Sequence, residues 1–239
     1  MTAASCGTLT ALTLGLPAGT AIAEEKGTLP KQMFYAKRPI SSKLKQRFTN
    51  DLESVTMLAL LRAANTGLAD GAATHEILLM GLKVSCEEVP VELVDYISHM
   101  RNCGIIFVCC RTRATEEGGR VEECALAVRR PLPTKPGYEK RFRVYVGPWR
   151  PVAQTTLELK GQNMDEAWDS LNAQVILDSS DGADLDARIA RRSEIAGLVV
   201  QEAKLAKDHS RAKDPAQRNE IYSKLHKVRN QLRQMGALD

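Results

Sequence analysis

Aromatic residues, paired metal-ligand spacings and long apolar runs are all scarce in this chain of 239 residues, and each shortage narrows what it can be. Phe, Tyr and Trp together make up 5% of the sequence, so a core has to be built from Leu, Val, Ile, Met and Ala. Beyond the N-terminus no stretch approaches the ~20 apolar residues of a membrane span, so no membrane-crossing segment is expected. No Cys-x-x-Cys occurs, and His75, His99, His209 and His226 stand near no cysteine at finger spacing, which argues against zinc. Gly15-Leu16-Pro17-Ala18-Gly19-Thr20 lacks both the spacing and the lysine of a phosphate loop. The stretch from Ala3 to Ala23 is apolar and ends in Ala21-Ile22-Ala23, which resembles a signal-peptidase site. No Lys or Arg precedes Lys26, however, so the positive region of a signal peptide is missing and a cytoplasmic location is expected.

Six cysteines are present, Cys6, Cys86, Cys103, Cys109, Cys110 and Cys124. A chain this long can be held by its core, and Cys109-Cys110 lie side by side in an apolar run. Buried free thiols are therefore expected rather than a disulfide framework.

Periodicity predicts a mixed α/β fold. A helix starts near Ser41 or Ser42, either a suitable N-cap, and runs towards Leu61, with Leu44, Phe48, Leu52, Val55 and Leu58 at helical spacing. Glu76 to Val84 reads as a buried strand. Pro90 opens a helix lasting to about Arg101, and Gly104 to Arg111 reads as a second strand. That order implies a βαβ crossover with parallel pairing. Val121 to Arg129 and Glu139 to Val146 read as antiparallel strands joined by the Pro-rich segment Pro131 to Gly137, followed by a short strand from Thr155 to Lys160. Asn163 caps a helix from Met164 to about Ile176, with Glu166 completing a capping box. The polar segment Asp178 to Asp186 marks a boundary between a mixed α/β domain, residues 1–177, and a C-terminal part, residues 178–239. There Ile221, Leu225, Val228, Leu232 and Met235 form a coiled-coil-like seam, matched by Leu185, Ile189, Ala196, Val199, Ala203 and Ala206 on the preceding helix. The expected architecture is thus a mixed sheet with one βαβ crossover and antiparallel strands, plus a C-terminal antiparallel helical hairpin.

The net charge of +4 hides strong local patches. Between Lys26 and Arg47 lie Lys31, Lys37, Arg38, Lys43 and Lys45, with Phe34 and Tyr35 among them and no Asp or Glu. A second patch holds Arg129, Arg130, Lys135, Lys140, Arg141, Arg143 and Arg150, interleaved with Tyr138, Phe142, Tyr145 and Trp149 and opposed only by Glu139. A third runs from Arg191 to Arg233. Each can be an ordinary solvated face with its aromatics in the core. Three in one chain point to an anionic partner, DNA or an acidic protein surface. The residues assigned to it are Lys31, Lys37, Arg38, Lys43, Arg47, Arg141, Arg143 and Arg150 as phosphate contacts, with Tyr35 and Trp149 as stacking groups.

Several motifs carry a further resemblance. Leu16-Pro17 leads to Leu29-Pro30-Lys31 and Phe34-Tyr35, and then to the Ser42 to Lys45 helix start. Glu76-Ile77 and Gly104-Ile105-Ile106-Phe107 open strands. Tyr145, Trp149, Leu159-Lys160-Gly161 and Asp165 follow, before a charged helical tail. In these the chain resembles a bacterial and archaeal family known as domain of unknown function 4391, from about Leu14 onward. The resemblance implies that Leu14 to Ala23 belongs to the folded domain. It supplies no catalytic residues. It suggests the company of helicases and DNA methyltransferases of restriction-like, anti-phage systems.

No enzymatic chemistry is legible. Glu158-Leu159-Lys160 matches half of a restriction-type nuclease motif, but the only Asp between Gly71 and Asp165 is Asp95, placed on a helix. The Asp178, Asp181, Asp184 and Asp186 run fails as a calcium loop because its twelfth position is Ile189. Cys103, Cys109 and Cys110 lie near His99 in sequence, but such nearness means little, and Cys109 and Cys110 point to opposite sides of a buried strand, so structural thiols are expected. No catalytic residue, metal or cofactor is assigned. The reading is a non-catalytic accessory subunit that contacts DNA or a DNA-processing partner such as a helicase or methyltransferase. The alternatives are a divergent Mg-dependent nuclease working with a helicase, and a scaffold that homodimerises through the hairpin.

Overall fold

A computed structural model describes residues 2–36, 39–115, 118–133 and 137–238. In chain order the elements are β1 (Ser5–Cys6), β2 (Leu9–Thr10), α1 (Glu24–Gly27), β3 (Thr28–Leu29), α2 (Ser42–Asn50), β4 (Leu52–Leu61) and α3 (Ala63–Thr66). They continue with β5 (Ile77–Val84), α4 (Val91–His99), β6 (Gly104–Ala114), β7 (Arg120–Pro131), β8 (Phe142–Val146) and β9 (Arg150–Pro151). Three helices complete the chain, α5 (Met164–Leu177), α6 (Leu185–Arg211) and α7 (Pro215–Gln234).

Seven strands form one mixed sheet in the order β3-β4-β5-β6-β7-β8, with β9 also on β7. β5 and β6 are parallel, with Ile77 opposite Gly104 and Lys83 opposite Cys110. α4 is their crossover, as the strand–helix–strand order predicts. The remaining pairings are antiparallel. One face of the sheet is covered by α2 and α4, whose Phe48, Leu93, Val94 and Ile97 pack with Leu78, Met80, Leu82 and Phe107. The other face receives the N-terminal segment and α5. Cys110 Sγ donates to Cys6 O at 3.3 Å there, and Leu14, Leu16 and Thr20 are buried.

The helix predicted from Ser41 to Leu61 is corrected. Ser41 does cap it, its Oγ accepting from Leu44 N at 3.2 Å, but the helix ends at Asn50 and Leu52–Leu61 is a strand. The cause is specific. Register shifts at Leu52/Ser54 and Met57/Ala59 interrupt the alternation of β4, so its buried residues include Leu52, Val55, Leu58 and Leu61, each three apart. Two bulges thereby imitate a helical period.

The expected strand Thr155–Lys160 also fails. Leu157 N donates to Leu14 O at 2.7 Å and Glu158 N to Gln174 Oε1 at 2.8 Å, so this extended segment satisfies its backbone outside the sheet. The pairing with β7 falls instead to Arg150 and Pro151. At the start of α5, Asn163 Oδ1 accepts from Glu166 N at 3.0 Å. Glu166 reaches Gln162 N at 2.9 Å rather than the N-cap N–H.

The chain divides into two compact units at Ala183/Asp184. Asp178 to Gly182 stays with the first, where Ser170 Oγ donates to Ser180 O at 2.7 Å. The second is the antiparallel pair α6 and α7. Asp214 caps α7 by accepting from Ala216 N and Gln217 N. Leu225, Val228 and Leu232 are buried on α7 as their spacing predicts. On α6 the expected seam shifts after Ile189: Ile195, Leu198, Glu202 and Leu205 are half-buried, while Ala196, Val199 and Ala203 are exposed and, of the expected residues beyond Ile189, Ala206 alone is half-buried. Glu202 lies towards the partner helix because Arg229 binds it, Nη2 at 2.7 Å. An ion pair thus takes a place that a small-residue pattern reserves for alanine. Among the described residues no helix is long and apolar enough to cross a membrane.

Candidate nucleic-acid interface

Four of the eight cations assigned to phosphate contact, Lys31, Lys43, Arg47 and Arg150, are used inside the fold. Lys31 turns inward, its Nζ donating to Leu52 O at 2.8 Å. Lys43 Nζ lies 3.2 Å from Glu92, and Arg47 is shared between Asp51 at 2.7 Å and Glu92 at 3.1 Å. These contacts tie α2 to α4. Hydrogen bonds from Arg47 and then Lys43 hold the Glu92 carboxyl below its usual range, and those to Asp51 and Glu92 raise Arg47. Tyr35 is half-buried with its ring 5.6 Å from Phe48. Lys45 Nζ stands 5.8 Å from the Tyr35 ring. Lys37 and Arg38 lie outside the described residues. In the first patch, then, Lys43 and Arg47 are paired with carboxylates and Lys31 is held by a backbone carbonyl.

The second patch divides. Arg150 makes a two-pronged contact to Asp178, at 2.9 and 2.7 Å, which raises its pKa. Arg129 pairs with Asp95 at 2.7 Å and lies 3.6 Å over the Phe142 ring. Arg130 pairs with Asp169 at 3.0 Å. Trp149 is half-buried under the Arg111 guanidinium, 4.1 Å away. Lys135 lies outside the described residues. What remains is a strip at the end of the β7–β8 hairpin. Lys140, Arg141 and Arg143 are exposed and, among the described residues, have no carboxylate partner. Arg143 stands 5.2 Å over Tyr145. Tyr138 is 72% exposed and Phe142 42%, so aromatic surface lies beside free cations. Arg141, Arg143 and Tyr145 alternate with Phe142 and Val144 and so share one face of the strand.

A cleft of about 570 Å³ opens at the carboxyl ends of β5 and β6, lined by Glu53, Cys86, Glu87, Arg111 and Arg113 among others. Sequence reading missed the network at its base. Glu123, directly opposite Arg111, accepts from Arg111 Nε and Nη2 at 2.9 and 2.8 Å and from Arg113 Nε at 3.1 Å. Arg111 Nη1 also donates to Glu87 O. With one face on Trp149, the Arg111 guanidinium is fully occupied and acts as a clamp. The one available signal was the Arg-x-Arg end of β6, legible only once its partner strand is in register.

Of the cysteines, Cys86 lines the cleft, its Sγ donating to Glu88 O at 3.0 Å. Cys109 is completely buried and pushed up by burial. Cys86 and Cys103 are also raised, chiefly by burial. Cys110 lies on the opposite face from Cys109, against Cys6 and Cys124. Glu158 and Lys160 lie off the sheet. Among the described residues no three His, Cys, Asp or Glu side chains gather as a metal site.

Fold and surface together define a two-unit protein, a mixed-sheet α/β domain with a helical pair, whose uncompensated positive charge in the second patch lies on one sheet edge. The chain belongs to the family described as a domain of unknown function (DUF4391), whose model matches residues 14–232. No curated protein and no solved structure matches the chain.

Most of the resemblance-bearing residues have internal roles. Glu76 pairs with Arg62, and Lys31 and Trp149 are placed as described above. A side chain at Gly104 would press into the Trp168 ring at 2.8 Å, and Gly161 has φ +145°. Asp165 accepts from the backbone N–H groups of Ala72, Ala73 and Thr74, the shortest contacts being 2.6 and 2.7 Å. Burial raises the Asp165 pKa, but those three donors more than offset it and leave it lowered. A lowered folded-state pKa stabilises above the unfolded value, roughly 3.9, and the gain disappears as pH falls through the folded value. Asp165→Asn is thus expected to cost about 1 kcal/mol at neutral pH. The gap from the unmodified protein should close below about pH 4, read as urea midpoints across pH. A gap that persists in acid would show that the carboxylate charge is not what closes this loop.

Proposed function

We propose that this protein is a non-catalytic, DNA-contacting accessory subunit, and that the strip Lys140, Arg141 and Arg143 is its phosphate-binding surface. One observation supports this above the others. These three cations are exposed and lack carboxylate partners beside the exposed Tyr138, whereas Lys31, Lys43, Arg47 and Arg150 are occupied within the fold. Uncompensated cations release counterions on meeting phosphate, and an exposed aromatic ring offers a stacking surface for a base. The resemblance adds the expectation of a helicase or methyltransferase partner.

The test is binding of labelled duplex and single-stranded DNA across a salt series, with and without Mg²⁺. Three phosphate contacts predict a slope of log affinity against log salt of about −2.7 for duplex and about −2 for single strand. The combined variant Lys140→Glu, Arg141→Glu, Arg143→Glu should lose binding, while Lys43→Gln should leave it within about twofold, since a changed phosphate contact is what alters affinity. Unchanged binding by the triple variant would remove this strip from the interface. Mg²⁺-dependent cleavage would replace the accessory reading with the nuclease one.

A further inference from the structure

The outer edge of β8, the strand that carries Arg143, has a backbone pattern of its own. Leu132 N donates to Arg141 O and Gly147 N to Leu126 O, each at 2.8 Å. The β7–β8 register places Arg143 opposite Arg130 and Tyr145 opposite Val128. Hydrogen-bonded and non-hydrogen-bonded pairs alternate along an antiparallel ladder. The backbone groups of Arg141, Arg143, Tyr145 and Gly147 therefore face β7, and those of Phe142, Val144 and Val146 face outward. Among the described residues no strand meets them. The register from Ala127/Val146 to Pro131/Phe142 contains no bulge, and the side chains on these outward positions are all apolar. Phe142 and Val146 are 42% and 41% exposed. The sheet's other edge is blunted, since β3 has only two residues and runs into Pro30. The β8 edge is thus open and unbulged, with apolar side chains at its outward positions and only Arg143 between them carrying charge.

We infer that β8 pairs antiparallel with β8 of a second copy of this chain, about a twofold axis through Val144. The sequence of the strand is self-complementary in that register. Phe142 falls opposite the second copy's Val146, Val144 opposite Val144, and Arg143 opposite Tyr145. The last pair repeats between copies the cation–ring contact already present within one, at 5.2 Å. No two like charges stand directly opposite, and outward backbone groups meet outward backbone groups throughout. Pro148 ends the ladder on one side. An acidic strand from a different protein would also meet Arg143, but only this strand's own reverse sets apolar residues 142, 144 and 146 against one another and Arg143 against Tyr145.

The experiment is light scattering on the full chain over a wide concentration range, with two variants. The native protein should approach twice its mass of 26.3 kDa as concentration rises. Val146→Pro removes an outward N–H and leaves the β7–β8 ladder intact, so it should keep its circular dichroism and remain monomeric. Val144→Cys places two thiols at the axis and should give a covalent dimer with diamide as oxidant. A monomer at every concentration, with no covalent dimer from Val144→Cys, overturns the inference. A dimer that survives Val146→Pro does so as well, and moves self-association to another surface such as α6 and α7.

Discussion

Glu123→Ala is expected to destabilise the protein by about 3–5 kcal/mol, the usual cost of removing one member of a buried ion pair. The Glu123 side chain is 11% exposed and that of Arg111 18%. Glu123 binds two arginines, and Arg111 in turn holds Glu87 O and the face of Trp149. Removing the carboxylate leaves the Arg111 charge desolvated with only a carbonyl and a ring as neighbours. β6, β7, the turn after β5 and the segment before β9 would all lose their shared anchor. Urea denaturation measures it, the midpoint falling while the slope stays constant. The cost comes from the orphaned charge rather than from a large net value of the pair. Glu123→Leu combined with Arg111→Met should therefore recover most of the loss. A single variant within 1 kcal/mol of the unmodified protein would mean that water reaches Arg111 freely.

Phe48→Ala is expected to cost about as much, roughly 3–5 kcal/mol. Phe48 is completely buried, with its ring 5.9 Å from Phe34, 5.6 Å from Tyr35 and 6.0 Å from Tyr96. In a chain with four phenylalanines, this cluster gathers two of them and anchors the 31–35 segment to α2 and α4. Tyr96 adds a polar lock, its hydroxyl donating to Phe34 O at 2.9 Å. The cavity left by Ala would border all three rings, and relaxation into it would displace Lys31 and Tyr35. Thermal unfolding reads the loss. DNA binding at temperatures where the variant is still folded should be unchanged, because the proposed strip lies on the β7–β8 hairpin. A parallel fall in DNA affinity would instead return the first basic patch to the interface.

Some of this was legible from the chain alone, and the reason differs from element to element. The β5–α4–β6 unit could be read because its strands are short, continuous apolar runs with a proline opening the helix between them. α7 was equally plain, since its seam of Leu225, Val228 and Leu232 keeps a helical period. β4 was misread because two bulges gave it a helical spacing. The seam of α6 was misplaced because Glu202, a charged residue, occupies it. Among the candidate site residues, Arg141 and Arg143 remained exposed, whereas Lys31, Lys43, Arg47, Trp149 and Arg150 are engaged within the fold. Sequence counts cations, but it does not show where their counter-charges arrive. Glu92 and Asp178 lie 49 and 28 residues from Lys43 and Arg150.

Local chemistry, then, was determined by the sequence itself: periodic apolar faces, caps, turns and the sign of each charged run, all of which act over a few residues. Which cations are neutralised, which sheet edge stays open and which carboxylate sits between two arginines were decided only by the tertiary structure. Those properties depend on strand order and register, and these bring together residues that no local pattern relates.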